Sequence, residues 1–175
     1  MTRLDFPREQ ILSFRRRAGA LDARLPFSAE SLRLAAWAGL QDSVPRAALL
    51  SIHARVSGAG SSAWEHLSLV QLWGPRFTVY VIAGRDHAVF SLGTLPDAAK
   101  GRARAVDLAA RLDGLLDGSR LDYAQAGERL GLHNANMLRY AAATGTVLLR
   151  WEGARRPVVW TVRAPSVAPR DARLE

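Results

Sequence analysis

A chain of 175 residues with 49% apolar content holds one ordinary domain or two small ones, and it excludes wholesale disorder. The sequence has no cysteine, which excludes disulfide staples and thiolate chemistry. Its net charge of +8 comes from 23 Arg and one Lys against 16 acidic residues, a balance that suits a polyanionic partner. An Arg-, Ala- and Gly-rich composition also arises in a high-GC genome without any such partner. Arg remains the side chain best built for bidentate phosphate and guanine contacts.

The N-terminus, "MTRLDFPREQILSFRRR", has no apolar core of the kind a secretory leader needs. No apolar run approaches the ~20 residues that span a bilayer. A cytoplasmic, nucleoid-associated location without membrane contact is expected. The first helix runs from Pro7 to the Arg15–Arg16–Arg17 cluster, whose cations suit a helix C-terminus. The second follows Ser28 as N-cap, with Leu32, Ala35, Ala36 and Leu40 at helical spacing. The third opens at Pro45 and carries Ala48, Leu49, Ile52 and Val56. Between the second and third helices lie Gln41, Asp42 and Ser43, whose polarity is explained by capping or by chemistry.

Residues 57–66 read as loop, and "LVQLWGPRFTVYVIAG" as a hairpin punctuated by Gly74–Pro75. A short helix over 85–92 follows, and a boundary falls near Leu95–Pro96. The second half repeats the plan: a long amphipathic helix from Asp97 to Gly118, two helices around a tight turn, then strands joined by "EGARR". Residues 165–175, with two prolines, read as a tail or linker. The expected fold class is α+β and mainly helical. It comprises two tandem winged helix-turn-helix domains, residues 1–95 and 96–164, each with three helices and a β-hairpin wing.

The second half carries the helix-turn-helix signal. Ala126 and Gly127 are small where a second helix must cross closely, and Gly131 sits where a left-handed turn favours Gly. His133 or Asn134 can cap the next helix, whose apolar side is Ala135, Leu138 and Ala142. Asn134, Asn136 and Arg139 fall mostly outside that side and are candidates to read base edges. Arg150, Arg155 and Arg156 on the second hairpin, with Arg76 on the first, complete the candidate DNA-binding set. A helical domain with a solvated polar face and a protein-docking winged helix are the competing readings.

Other chemistry is thin. His53, His66, His87 and His133 show no metal-ligand spacing, and no Gly-rich phosphate loop is present, so no metal and no cofactor is expected. Asp86–His87 are adjacent on a helix and point apart. Trp64, Trp73, Trp151 and Trp160 can stack on bases but suit core positions on strands, and Trp37 suits a helical core.

The segments "GLQDSVPRAALLSIHARV", "LVQLWGPRFTVYVIAGRDHAVFSLG" and "LGLHNANMLRYAAATGTVLLRWEGARRPVVWTV" together resemble the winged helix DNA-binding proteins of the AlkZ type. These are bacterial proteins with tandem winged helices, some of which are DNA glycosylases that remove alkylated bases and unhook crosslinks. The resemblance covers residues 8–174 and is sharpest at Trp73–Arg76. It implies that this chain matches the N-terminal half of members that are usually about twice as long. Active members carry Gln-X-Gln or Gln-X-Asp where this chain has Gln41, Asp42 and Ser43. By resemblance Gln41, helped by Asp42, is the catalytic candidate. Gln41 matches the first position, Ser43 stands at the second, and Asp42 sits one place early. The sequence therefore offers a duplex-DNA-binding module, a glycosylase for alkylated bases, or a protein-interaction module. It leaves the oligomeric state open.

Overall fold

The computed structural model describes residues 5–152 and 156–173. It is a mixed α/β fold of short helices and small sheets. Helix α1 (Arg8–Ala18) starts after Pro7 and ends in its arginines, and it buries no residue. Strand β1 (Leu25–Pro26) leads to α2 (Ala29–Ala35), which begins where Ser28 Oγ accepts the Ser31 N–H at 3.1 Å. The Ala29–Ala35 helix buries Leu32 and Ala35, as its spacing requires.

The chain then turns at Gly39, with φ of +77°. A side chain there would lie 2.6 Å from the Phe90 ring, so only Gly fits. Strand β2 (Leu40–Gln41) follows, then α3 (Ala47–Arg55) and β3 (Val56–Ser57). The segment expected to be only a turn is thus partly strand. Helix α3 starts after Arg46, which is left-handed at φ 68°, rather than at Pro45. β1 and β3 pair in parallel through Leu25 and Val56.

The first hairpin forms as expected from β4 (Leu69–Trp73) and β5 (Val79–Ala83), in register from Leu69 opposite Ala83 to Trp73 opposite Val79. Its turn holds Arg76 and Phe77 at positive φ. The short helix is α4 (His87–Phe90). The second half contains α5 (Ala99–Leu116), β6 (Leu121–Asp122), α6 (Tyr123–Arg129), α7 (Leu138–Ala142), β7 (Val147–Glu152) and β8 (Arg156–Thr161). Gly127 permits the close crossing expected of it, because a Cβ there would meet the Ala135 Cβ at 2.7 Å.

The two three-stranded sheets share one plan. Their orders are β2-β5-β4 and β6-β8-β7, so the short strand before each helix segment pairs with the last hairpin strand. The halves differ between the third helix and the hairpin. Where the second half has α7, the first has a loop whose 3-10 turn at Ala63–Glu65 buries Trp64. The first half reaches three helices only by counting α1, which stands outside the core.

The two halves do not have separate interiors. Trp73 and Val79 of the first hairpin are buried among Leu112, Leu138 and Leu149 of the second half. Leu72 and Ile82 pack with Leu148 where the hairpins meet. The end of the chain also departs from the expected linker. Ala172 is fully buried beside Ala88 and Leu92. Arg173 donates to Asp97 and to the Leu95 carbonyl, each at 2.6 Å, tying the end back. Trp37, expected in the core, is 54% exposed and donates to the Ala18 carbonyl.

Candidate functional site

The segment from Leu40 to Ser43 alternates as an extended chain must: Leu40 and Asp42 inward, Gln41 and Ser43 outward. Gln41 Nε2 donates to Ser43 Oγ at 3.1 Å on the exposed side. Asp42 is fully buried. Its Oδ1 accepts the Ala48 N–H at 2.9 Å, which caps α3, and its Oδ2 accepts from the Gln71 amide. Gln41 and Asp42 therefore leave the strand on opposite sides and reach no common point.

The buried carboxylate belongs to a network joining the two halves. Gln71 Oε1 accepts the Trp151 N–H at 3.0 Å, and Trp151 Nε1 donates to the Asp42 carbonyl at 2.9 Å. Burial pushes the Asp42 carboxyl above the usual carboxylate range, while the Ala48 N–H and the Gln71 amide pull it back. Gln71 was not singled out by the sequence reading. Its signal was there: in "LVQLW" it occupies the inward register between Leu69 and Trp73, an uncommon place for an amide without a partner.

Beside this network a cavity of about 230 Å³ opens between the halves. Ser43 and the first hairpin, through Trp73 and Phe77, form one side. Tyr123, Arg139 and Trp151 form the other. The Tyr123 and Trp73 rings lie 5.3 Å apart. Tyr123 donates to Asn136 Oδ1 at 2.7 Å, and burial raises its phenol above the ordinary range while the nearby Arg139 opposes the rise.

The remaining candidates are dispersed. Asn134 caps the turn before α7 by accepting the Asn136 N–H at 2.8 Å, and both residues are exposed. Arg139 lies at the seam between halves, with Nη1 donating to the Phe77 carbonyl at 3.3 Å. Arg150 lies within 3.9 Å of Glu65 and 3.8 Å of Glu152, and Arg156 within 3.3 Å of Asp122. These are partly exposed pairs, worth little and readily exchanged. Arg76 is exposed at the first hairpin turn. Arg155 lies outside the described residues. His87 is buried and its imidazole is held below the ordinary range by burial; Asp86 approaches Arg85, not His87. Among the described residues no helix is long and apolar enough to cross a membrane.

No protein-family description matches the chain, and no curated protein matches it in sequence. A solved structure, Streptomyces sahachiroi DNA glycosylase AlkZ, shares the fold with a TM-score of 0.69 at 16% identity. The match covers 97% of this chain and 55% of that one, so the present chain spans about half of its structural neighbour. The likeness in fold agrees with the resemblance noted from the sequence.

Proposed function

We propose that this chain is a DNA-binding protein of tandem winged-helix build, with units over residues 1–95 and 96–164, that engages duplex DNA through exposed arginines and the turn before α7. The observation that carries this reading is the order from Ala99 to Thr161. A helix, a short strand, two helices and a hairpin follow one another, and the short strand pairs with the last hairpin strand. That is the topology of a winged helix. A neighbour in fold that is itself a DNA glycosylase supports it. Asn134, Asn136 and Arg76 are exposed, and the ion pairs of Arg150 and Arg156 are weak enough to yield to phosphates. Arg139 acts from the seam. A cytoplasmic, nucleoid-associated location follows from this role, and no small-molecule cofactor enters it.

Fluorescence anisotropy of a labelled duplex at several salt concentrations tests the reading. Affinity should fall steeply with salt, because each neutralised phosphate releases counterions. Absent or salt-independent binding at low salt would refute it and favour a protein partner.

A second reading, hydrolysis of the N-glycosidic bond of an alkylated base, is favoured by the Gln41–Ser43 hydrogen bond at the edge of the cavity. Such cleavage passes through an oxocarbenium-like state that needs an oriented water or nearby charge. Gln41 is the residue proposed to orient that water. Asp42, with both oxygens bound inside, is proposed to hold the strand that presents it. Base release from a duplex carrying 7-methylguanine, abolished by Gln41→Ala, would support this reading. Release that survives Gln41→Ala would refute the role.

A further inference from the structure

Arg139 enters the cavity between the halves with its hydrogen bonding incomplete. Nη1 is bound to the Phe77 carbonyl. Nε is buried and has no partner among the described residues. Nor does any carboxylate among them lie within ion-pair distance of this guanidinium. The Nε–H and one Nη2–H of an arginine point the same way and form a two-donor fork. A buried donor on a charged group is costly to leave unpaired, so this edge calls for an acceptor from outside.

The surroundings select the acceptor. Trp73, Phe77, Tyr123 and Trp151 line the cavity. A phosphate, strongly hydrated, loses much and gains little between such rings. A planar base gains stacking from them. Among bases, guanine carries two adjacent acceptors, O6 and N7, that match an arginine fork. At about 230 Å³ the cavity lies below the roughly 300–1,000 Å³ of drug-sized sites, which suits one ring system.

We propose that this cavity receives a single unpaired guanine, whose O6 and N7 accept from the open edge of Arg139 while its faces meet the Trp73, Tyr123 and Trp151 rings. The inference rests on the DNA-binding reading and adds the base, the site and the strand state to it. A base inside a stacked duplex cannot reach the cavity, so bulged or single-stranded guanine is the form bound. A guanine methylated at N7 has lost one acceptor and is held less well.

The test compares labelled duplexes bearing one bulged guanine, adenine or 7-deazaguanine, alongside a plain duplex. Bulged guanine should bind roughly five- to hundredfold tighter than adenine, the range of one bidentate pair. The 7-deaza substitution, which alters no protein atom, should remove most of that preference, and Arg139→Lys should erase it. In parallel, guanosine should quench the tryptophan fluorescence of the unaltered protein more strongly than 7-deazaguanosine at equal concentration. Plain-duplex binding with no guanine preference overturns this inference and leaves the DNA-binding reading standing. Loss of all duplex binding sinks that reading instead, and the nucleoside quenching then decides the cavity by itself. Equal quenching by the two nucleosides overturns the proposal, as does a fork that inorganic phosphate occupies while guanosine does not.

Discussion

Replacing Gln71 with Leu removes the middle of the network that joins the halves. The Asp42 carboxylate loses one partner, and the Trp151 N–H loses its acceptor. A hydrogen bond to a charged group contributes about 1.5–3 kcal/mol, and a buried N–H left unpaired costs about 1–3 kcal/mol. The added apolar surface returns about 1 kcal/mol. The net destabilisation at pH 7 is about 3 kcal/mol, or roughly 6–12 °C in Tm for a chain of this size.

The penalty carries a pH signature. Folded Asp42 titrates above its unfolded value of 3.8, so the folded state binds more protons, and stability declines as pH rises through the folded value. Removing Gln71 takes away one influence that lowers the carboxyl and moves the folded value higher. The variant therefore loses more stability on deprotonation, and its deficit is larger at pH 7 than near pH 4. Urea denaturation of both proteins at the two pH values measures this directly. A deficit below about 1 kcal/mol at pH 7, or one equal at both pH values, would refute the reasoning.

Three further outcomes are expected. Gly127→Ala drives a methyl into Ala135 at the crossing before α7 and should cost about 1–3 kcal/mol; an unchanged Tm would mean the crossing relaxes freely. His87 is held neutral by burial, so its contribution is present above pH 6.5 and is lost as pH falls through its lower folded value. Stability should decline between pH 7 and pH 5, and His87→Leu should flatten that decline; equal declines in the two proteins would rule the assignment out. Helix α1 buries nothing, so Ile11→Ser and Phe14→Ser should each change stability by less than about 0.5 kcal/mol in urea titration. A larger loss would show that α1 is covered in solution.

Local chemistry made the longer elements legible. Ser28 capped its helix, Gly131 took positive φ, Gly127 allowed the crossing, and both hairpins followed their β-branched and aromatic runs. Two-residue strands escaped, because β2 and β6 exist only through pairing with β5 and β8, far along the chain. The candidate site divided the same way. Gln41, Asp42 and Ser43 stood out as polar residues at a helix boundary, but their roles separate by strand direction. One side faces solvent, and the other closes a network with Gln71 and Trp151, 29 and 109 residues away. Arg139 was visible as a base-reading residue, whereas its position at the seam, against a carbonyl 62 residues distant, was not. By itself the sequence determined the charge, the helices, the hairpins and the turn glycines, all of which follow from residues close in the chain. Tertiary structure alone decided which side chains share the cavity, because burial and pairing there depend on two hairpins packing together, and no local preference encodes that contact.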